Sequence, residues 1–168
     1  MSTVTGIGGG IIRDLVLGNA PPLSFTMPHY VLVTLSTGLI LFFLYPRLKN
    51  KMKLFLVFDA LGLGIFTVIG GNFAFQLFGL DFMIIVLAGV LTGVGGGIIR
   101  DVLVREIPII LIKELYATAS FLGILSFFSI LYLLDNLIMA TIIGFSISTG
   151  FRLLSMKWKW NLPSAREK

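Results

Sequence analysis

Cysteine is absent from this 168-residue chain, which excludes a disulfide framework, thiol catalysis and any cysteine-ligated metal. Histidine is nearly absent too: with His29 alone, a histidine-based metal site would need ligands from more than one subunit, and no metal site is expected. Charge is scarce, at 12% of residues against roughly 25% in a typical soluble domain, while 57% of residues are hydrophobic and the mean hydropathy is +1.00. A surface facing water on all sides cannot be built from this composition, so the chain reads as a multi-pass membrane protein. There is no phosphate-loop lysine and no plausible Ser/His/acid triad, so neither an enzyme nor a cofactor is expected. The string Gly6-Ile7-Gly8-Gly9-Gly10-Ile11 has the look of a dinucleotide loop, but its sixth position is Ile11 and no strand precedes it.

What charge there is punctuates the chain, and the stretches between charges measure the membrane spans. His29 to Pro46 is uncharged and ends at Arg47; Leu54 to Leu80 contains only Asp59; Phe82 to Ile99, Leu115 to Leu134 and Asn136 to Phe151 carry no charge. These predict five helices, with Ser2 to Ile12 as part of a sixth. Strands of a membrane barrel alternate apolar and polar residues, whereas Phe82 to Ala88 is apolar on every face, so the fold class is all-α. Tyr30 and Tyr45 bracket one span and Tyr116 and Tyr132 another, where amphipathic rings suit the headgroup level; Trp158 and Trp160 extend the same belt.

The basic residues orient the helices. The formal net charge of +5 is a topology signal and not a nucleic-acid signal, because the basic residues cluster in short segments between apolar runs. Arg47, Lys49, Lys51 and Lys53 share one loop without an acid, which places that loop in the cytoplasm. Alternation then puts the loop from Asn72 to Asp81 outside, Arg100, Arg105 and Lys113 inside, Asp135 outside, and the tail with Arg152, Lys157, Lys159, Arg166 and Lys168 inside. Twelve of the thirteen basic residues fall on one side, and only Arg13 falls on the other. The expected location is the plasma membrane, multi-pass, with a cytoplasmic C-terminus.

The chain also repeats itself. Thr5 to Leu17 reads TGIGGGIIRDLVL and Thr92 to Val104 reads TGVGGGIIRDVLV, with nine of thirteen positions identical at an offset of 87 residues that also places Pro21 on Pro108. By the topology above the first copy ends outside and the second inside, so the two run in opposite directions. Inverted repeats mark transporters and channels whose pathway lies at the repeat interface on broken helices. The triplets Gly8-Gly9-Gly10 and Gly95-Gly96-Gly97 suit such a break, since glycine weakens a helix and frees the backbone. Carbonyls unpaired at a break are tolerated only in protein or water, where they make a cation site. The second reading is close helix packing through Gly89-xxx-Gly93-xxx-Gly97, and the two readings are compatible.

Polar candidates follow each triplet: Arg13-Asp14 and Arg100-Asp101, which either face a pathway or mark helix ends where long side chains snorkel. Asp59, near the start of its helix with no basic residue nearer in sequence than Lys53, either lines a pathway or caps and pairs structurally. Thr5 and Thr92, which open the two copies, complete the set.

The duplicated TGxGGGIIRD motif, the helix Asp59-Ala60-Leu61-Gly62 and the stretch Arg105-Glu106-Ile107-Pro108 resemble the prokaryotic trimeric intracellular cation channel family, also classified as a glycine transporter domain family. The resemblance implies seven helices per subunit: two inverted three-helix repeats and a final helix, assembled as a homotrimer with a pore in each subunit. It implies that the second and fifth helices bend at glycines matching Gly8 to Gly10 and Gly95 to Gly97. The implied activity is passive conduction of monovalent cations, potassium first and sodium second, with glycine uptake assigned to some bacterial relatives. On this pattern residues 1–50 form a truncated first repeat, 51–135 a complete second repeat, and 136–168 the final helix and a basic tail. The counterpart of Lys53 would lie about 35 residues before Met1 by the repeat offset, so the first helix and the front half of the second are expected upstream. An intact mass of the native protein above 18.4 kDa is the check.

The function expected from all this is a potassium-permeable channel in which glycine carbonyls and Asp59 favour cations and the Arg-Asp pairs hold or gate the constriction. A secondary transporter for glycine or another small amino acid is the alternative. Membrane lipids and further copies of the chain are the expected partners, without nucleic acid.

Overall fold

A computed structural model describes residues 1–48, 52–108, 110 and 115–158. The described residues hold seven helices: α1 (Ser2–Val16), α2 (Leu23–Thr26), α3 (Pro28–Leu48), α4 (Met52–Phe78), α5 (Phe82–Leu103), α6 (Leu115–Leu134) and α7 (Leu137–Lys157). Helices are what a lipid environment dictates, because each backbone N–H and C=O must find its partner within its own segment. Five of them, α3 to α7, are long and apolar enough to cross a bilayer. α1 rises about 22 Å over its 15 residues, short of the roughly 30 Å hydrocarbon core. Lys49, Lys51, Lys113, Lys159, Trp160, Arg166 and Lys168, used above for orientation or the aromatic belt, lie outside the described residues.

Local chemistry sets the helix ends. Asp81 and Asn136 cap α5 and α7, accepting from the backbone N–H of Ile84 at 2.9 Å and Met139 at 3.0 Å, which satisfies N–H groups that have no partner within the helix. α4 runs beyond Asn72, where the sequence suggested a loop. Asn72 and Gln76 pair across one turn at 3.3 Å, and the helix stops only at Gly79, whose φ of +70° closes a bond from its N–H to the Phe75 carbonyl. α7 likewise continues past Phe151 to Lys157, so Arg152 belongs to a helix and not to a tail.

α4, α5, α6 and α7 form the core, closed by Val68, Ala74, Ile85, Ala88, Ile124, Phe127, Leu131 and Ala140. Small residues bring the backbones together, as lipid offers no hydrophobic drive between helices. Gly123 meets Gly144 and Ser148, and Thr67 and Ser120 exchange a 2.7 Å hydrogen bond opposite Gly93. α1 packs on α5, and α3 packs on α1.

The α1–α5 crossing shows what the duplicated glycines do. A Cβ on Gly9 would strike the Thr92 carbonyl, and a Cβ on Gly96 would strike the Thr5 carbonyl. A Cβ on Gly8 would lie 2.9 Å from Ile99 Cδ1, and one on Gly95 3.2 Å from Ile12 Cδ1. Each pair of contacts is one contact seen twice, because Thr5 and Thr92, Gly8 and Gly95, Gly9 and Gly96, and Ile12 and Ile99 occupy the same places in the two copies. Later residues of α1 meet earlier residues of α5, so the helices run antiparallel about a local twofold axis at the crossing. The expected break is corrected here: neither triplet interrupts its helix. The glycines are used to let two intact helices touch backbone to backbone.

The two copies also end alike. Gly18 and Arg105, both at positive φ (72° and 61°), follow the two helices. The N–H groups of Asn19 and Glu106 reach back to the carbonyls of Asp14 and Asp101 at 2.8 and 3.0 Å, a Schellman closure repeated at 87 residues. Around the crossing, α4 packs on α5 and α6.

Candidate functional site

A cavity of about 1290 Å³ lies between α1, α3, α4 and α5. Its far wall carries the charge. Asp59, one turn and more into α4, accepts from Arg100 Nη1 at 3.3 Å and, through a long bond of 3.5 Å, from the Tyr116 hydroxyl, both on Oδ1. Arg100 also donates from Nε to Asp101 Oδ1 at 2.9 Å. The Arg100 side chain is 29% exposed, and Asp59, Arg100 and Tyr116 line the cavity beside Gly93, Gly96 and Gly97. Behind them, the Arg152 guanidinium lies 4.6 Å from the centroid of the Tyr116 ring, and Thr149 donates to the Ala60 carbonyl at 3.4 Å. Two arginines and two aspartates thus meet at one end of the bundle with their charges balanced, the condition for holding ionised groups at this depth.

A second ionic group sits at the opposite end. Arg13 donates from Nε and Nη2 to Asp14 Oδ1 at 2.9 and 2.6 Å, and its guanidinium lies 3.7 Å from the centroid of the Phe73 ring. Asp14 Oδ2 accepts from the Leu23 N–H at 2.9 Å, so this carboxylate ties the end of α1 to α2. Both side chains are buried. Phe73 and Asp59 are fourteen residues apart on α4, which separates the two groups by about 21 Å along the helix.

Of the residues singled out in the sequence, Thr5, Asp59, Gly96, Gly97 and Arg100 line the cavity, while Gly8, Gly9, Gly10, Gly95, Thr92, Arg13, Asp14 and Asp101 do not. Thr92 is buried and donates to the Ala88 carbonyl at 2.6 Å; Thr5 donates to the Met1 carbonyl at 3.1 Å. Asp59, without a basic neighbour in sequence, finds one 41 residues away in Arg100. Two participants were not legible as such. Tyr116, read as a headgroup-level ring, is 5% exposed because it packs in a core cluster with Leu63, Val94 and Ala119. Arg152, counted only as a basic residue, is 2% exposed. Its signal was present: Gly144, Ser148, Arg152 and Ser155 are all buried on one stripe of α7, spaced as a small-residue packing face. The described residues contain no group of three or more His, Cys, Asp or Glu that could hold a metal ion.

An all-helical membrane protein built on an inverted repeat, with a charged cluster set into the cavity wall, is the class that fold and site define. A family profile described as glycine transporter matches residues 1–46 and 56–132, and the chain belongs to that family. The UPF0126 inner membrane protein YadS of Escherichia coli K12 is 39% identical over 166 residues, spanning 98% of this chain and 80% of YadS. A TRIC cation channel, solved to explain conductance, superposes with a TM-score of 0.89 at 36% identity, covering 99% of this chain and 81% of that one. The TRIC trimeric intracellular cation channel orthologue from Rhodobacter sphaeroides gives 0.87 at 37% identity, covering 94% and 80%.

Proposed function

We propose that this chain is the subunit of a cation channel that conducts potassium passively. The observation that carries the reading is the Asp59–Arg100–Tyr116 cluster, a balanced ionic group facing a cavity beside the twofold crossing, in a fold shared with TRIC cation channels. Asp59 supplies the negative end that favours cations; Arg100, held by Asp59 and Asp101, sets how much of that charge a passing ion meets. Thr5 adds a hydroxyl to the cavity lining beside Gly96 and Gly97. The α1–α5 crossing is the rigid frame, and Arg13–Asp14 fixes its other end. By likeness to the trimeric orthologue from Rhodobacter sphaeroides the assembly is a homotrimer, with the lipid-facing surface of α3 covered by neighbours or lipid. Positive-inside bias puts the end of α7 at the cytoplasm.

The test is reconstitution of the purified protein, recording single-channel current under a potassium chloride gradient beside glycine uptake in vesicles. Unitary currents reversing towards the potassium equilibrium potential are expected, and Asp59→Asn should lower the preference for cations. Saturable glycine uptake without unitary current would reject the channel in favour of a carrier, the activity that the family description names.

A further inference from the structure

α7 carries into the core a charge that this reading leaves unused. Arg152 is 2% exposed and is not among the cavity-lining residues, so it meets no ion directly. It lies instead over the Tyr116 ring, whose hydroxyl donates to Asp59 Oδ1. Arg100 meets Asp59 Oδ1 at 3.3 Å on the cavity side, and Arg152 stands 4.6 Å from the ring of the tyrosine that bonds the same carboxylate oxygen. Three atoms along this line are buried without a hydrogen-bond partner among the described residues: Asp59 Oδ2, Arg152 Nε and Arg152 Nη2. A buried guanidinium needs opposite charge nearby, and among the described residues Asp59, bonded to the hydroxyl of the tyrosine that Arg152 faces, is the carboxylate set beside it. Arg100 differs in being partly exposed and in having Asp101 as a second partner. One carboxylate therefore serves two arginines across a tyrosine.

We propose that Arg152 is a positioning residue for ion selectivity: through Tyr116 and Asp59 it holds the Asp59 carboxylate back in the wall and cancels part of its field at the cavity. The inference rests on the cation-channel reading. Its direction is opposite to a loss of function, since neutralising Arg152 leaves Asp59 freer to attract cations.

The test uses the full chain and its variants R152Q, R152K, D59N and R152Q/D59N, with reversal potential under a potassium chloride gradient and thermal unfolding measured on the same preparations. R152Q should move the reversal potential towards that of potassium, a potassium-to-chloride permeability ratio raised by roughly threefold or more. R152K should stay near wild type. Most of the shift should disappear when Asp59 is already Asn; a folded R152Q with an unchanged reversal potential, or an equal shift in both backgrounds, overturns the positioning role. Melting decides the pairing separately. D59N should lower Tm by stranding Arg152, and R152Q/D59N should recover part of that loss, whereas additive changes overturn the pairing. Should R152Q fail to fold, folding of the double variant supports the pair and failure of both overturns it. A wild-type protein without current rejects the channel reading and the selectivity role with it, while the melting comparison still decides whether Arg152 and Asp59 are paired.

Discussion

Arg105 and Gly18 hold the same place in two copies of one turn, yet only one of them suits it. Both residues have positive φ, a region that costs a residue with a Cβ about 1 kcal/mol and glycine almost nothing. Arg105→Gly should therefore raise stability by about 0.5–1 kcal/mol, and Gly18→Ala should lower it by a similar amount, both read as Tm in detergent; a lower Tm for Arg105→Gly would show that its side chain is needed where it stands. Asp14 is a different case. Its side chain is buried and supplies Arg13 with a carboxylate, so Asp14→Ala strands a buried guanidinium and frees the Leu23 N–H. A loss of about 3–5 kcal/mol is expected, enough to deplete the folded protein in membranes. The duplicated Arg-Asp pairs were legible in the sequence because identical residues recurred at a fixed offset. What Tyr116 and Arg152 do was not, since one looked like an interface aromatic and the other like a topology charge, and only their burial separates them from those roles.

At the scale of elements, the glycine triplets were legible as important but not in their use. A break and a close approach call for the same residue, and a sequence cannot tell a backbone freed to bend from a backbone cleared for contact. The crossing makes the members of each triplet unequal. Gly9 and Gly96 face the opposite backbone, which cannot move aside, so Gly9→Ala and Gly96→Ala should each cost about 1–3 kcal/mol. A Cβ on Gly10 would find nothing closer than Arg13 Nη2 at 4.0 Å, and one on Gly62 would meet nothing within 4 Å. Gly10→Ala should thus be neutral, and Gly62→Ala should gain about 0.5–1 kcal/mol from helix propensity. The ranking of the four melting temperatures checks this. Equal losses at Gly9 and Gly10 would return the triplet to a hinge.

The whole molecule adds the constraint of symmetry. Gly9 and Gly96 are mates about one axis, so their alanine variants should shift Tm by nearly the same amount in spite of their different neighbours. A loss at one position alone would mean that the twofold is a resemblance of sequence without equal packing. Beyond the crossing, α1, α3, α4 and α5 border the cavity, and Asp59 and Arg100 line it. The sequence by itself determined the membrane class, five of the spans and the inverted duplication, since these follow from hydropathy, the spacing of charges and identity at a fixed offset, all properties of neighbours along the chain. Only the tertiary structure decided that the glycines join helices instead of breaking them, and that Asp59, Arg100, Tyr116 and Arg152 form one group. These residues come from four helices and lie up to 93 positions apart, and no local pattern records which distant backbone or charge a residue will meet.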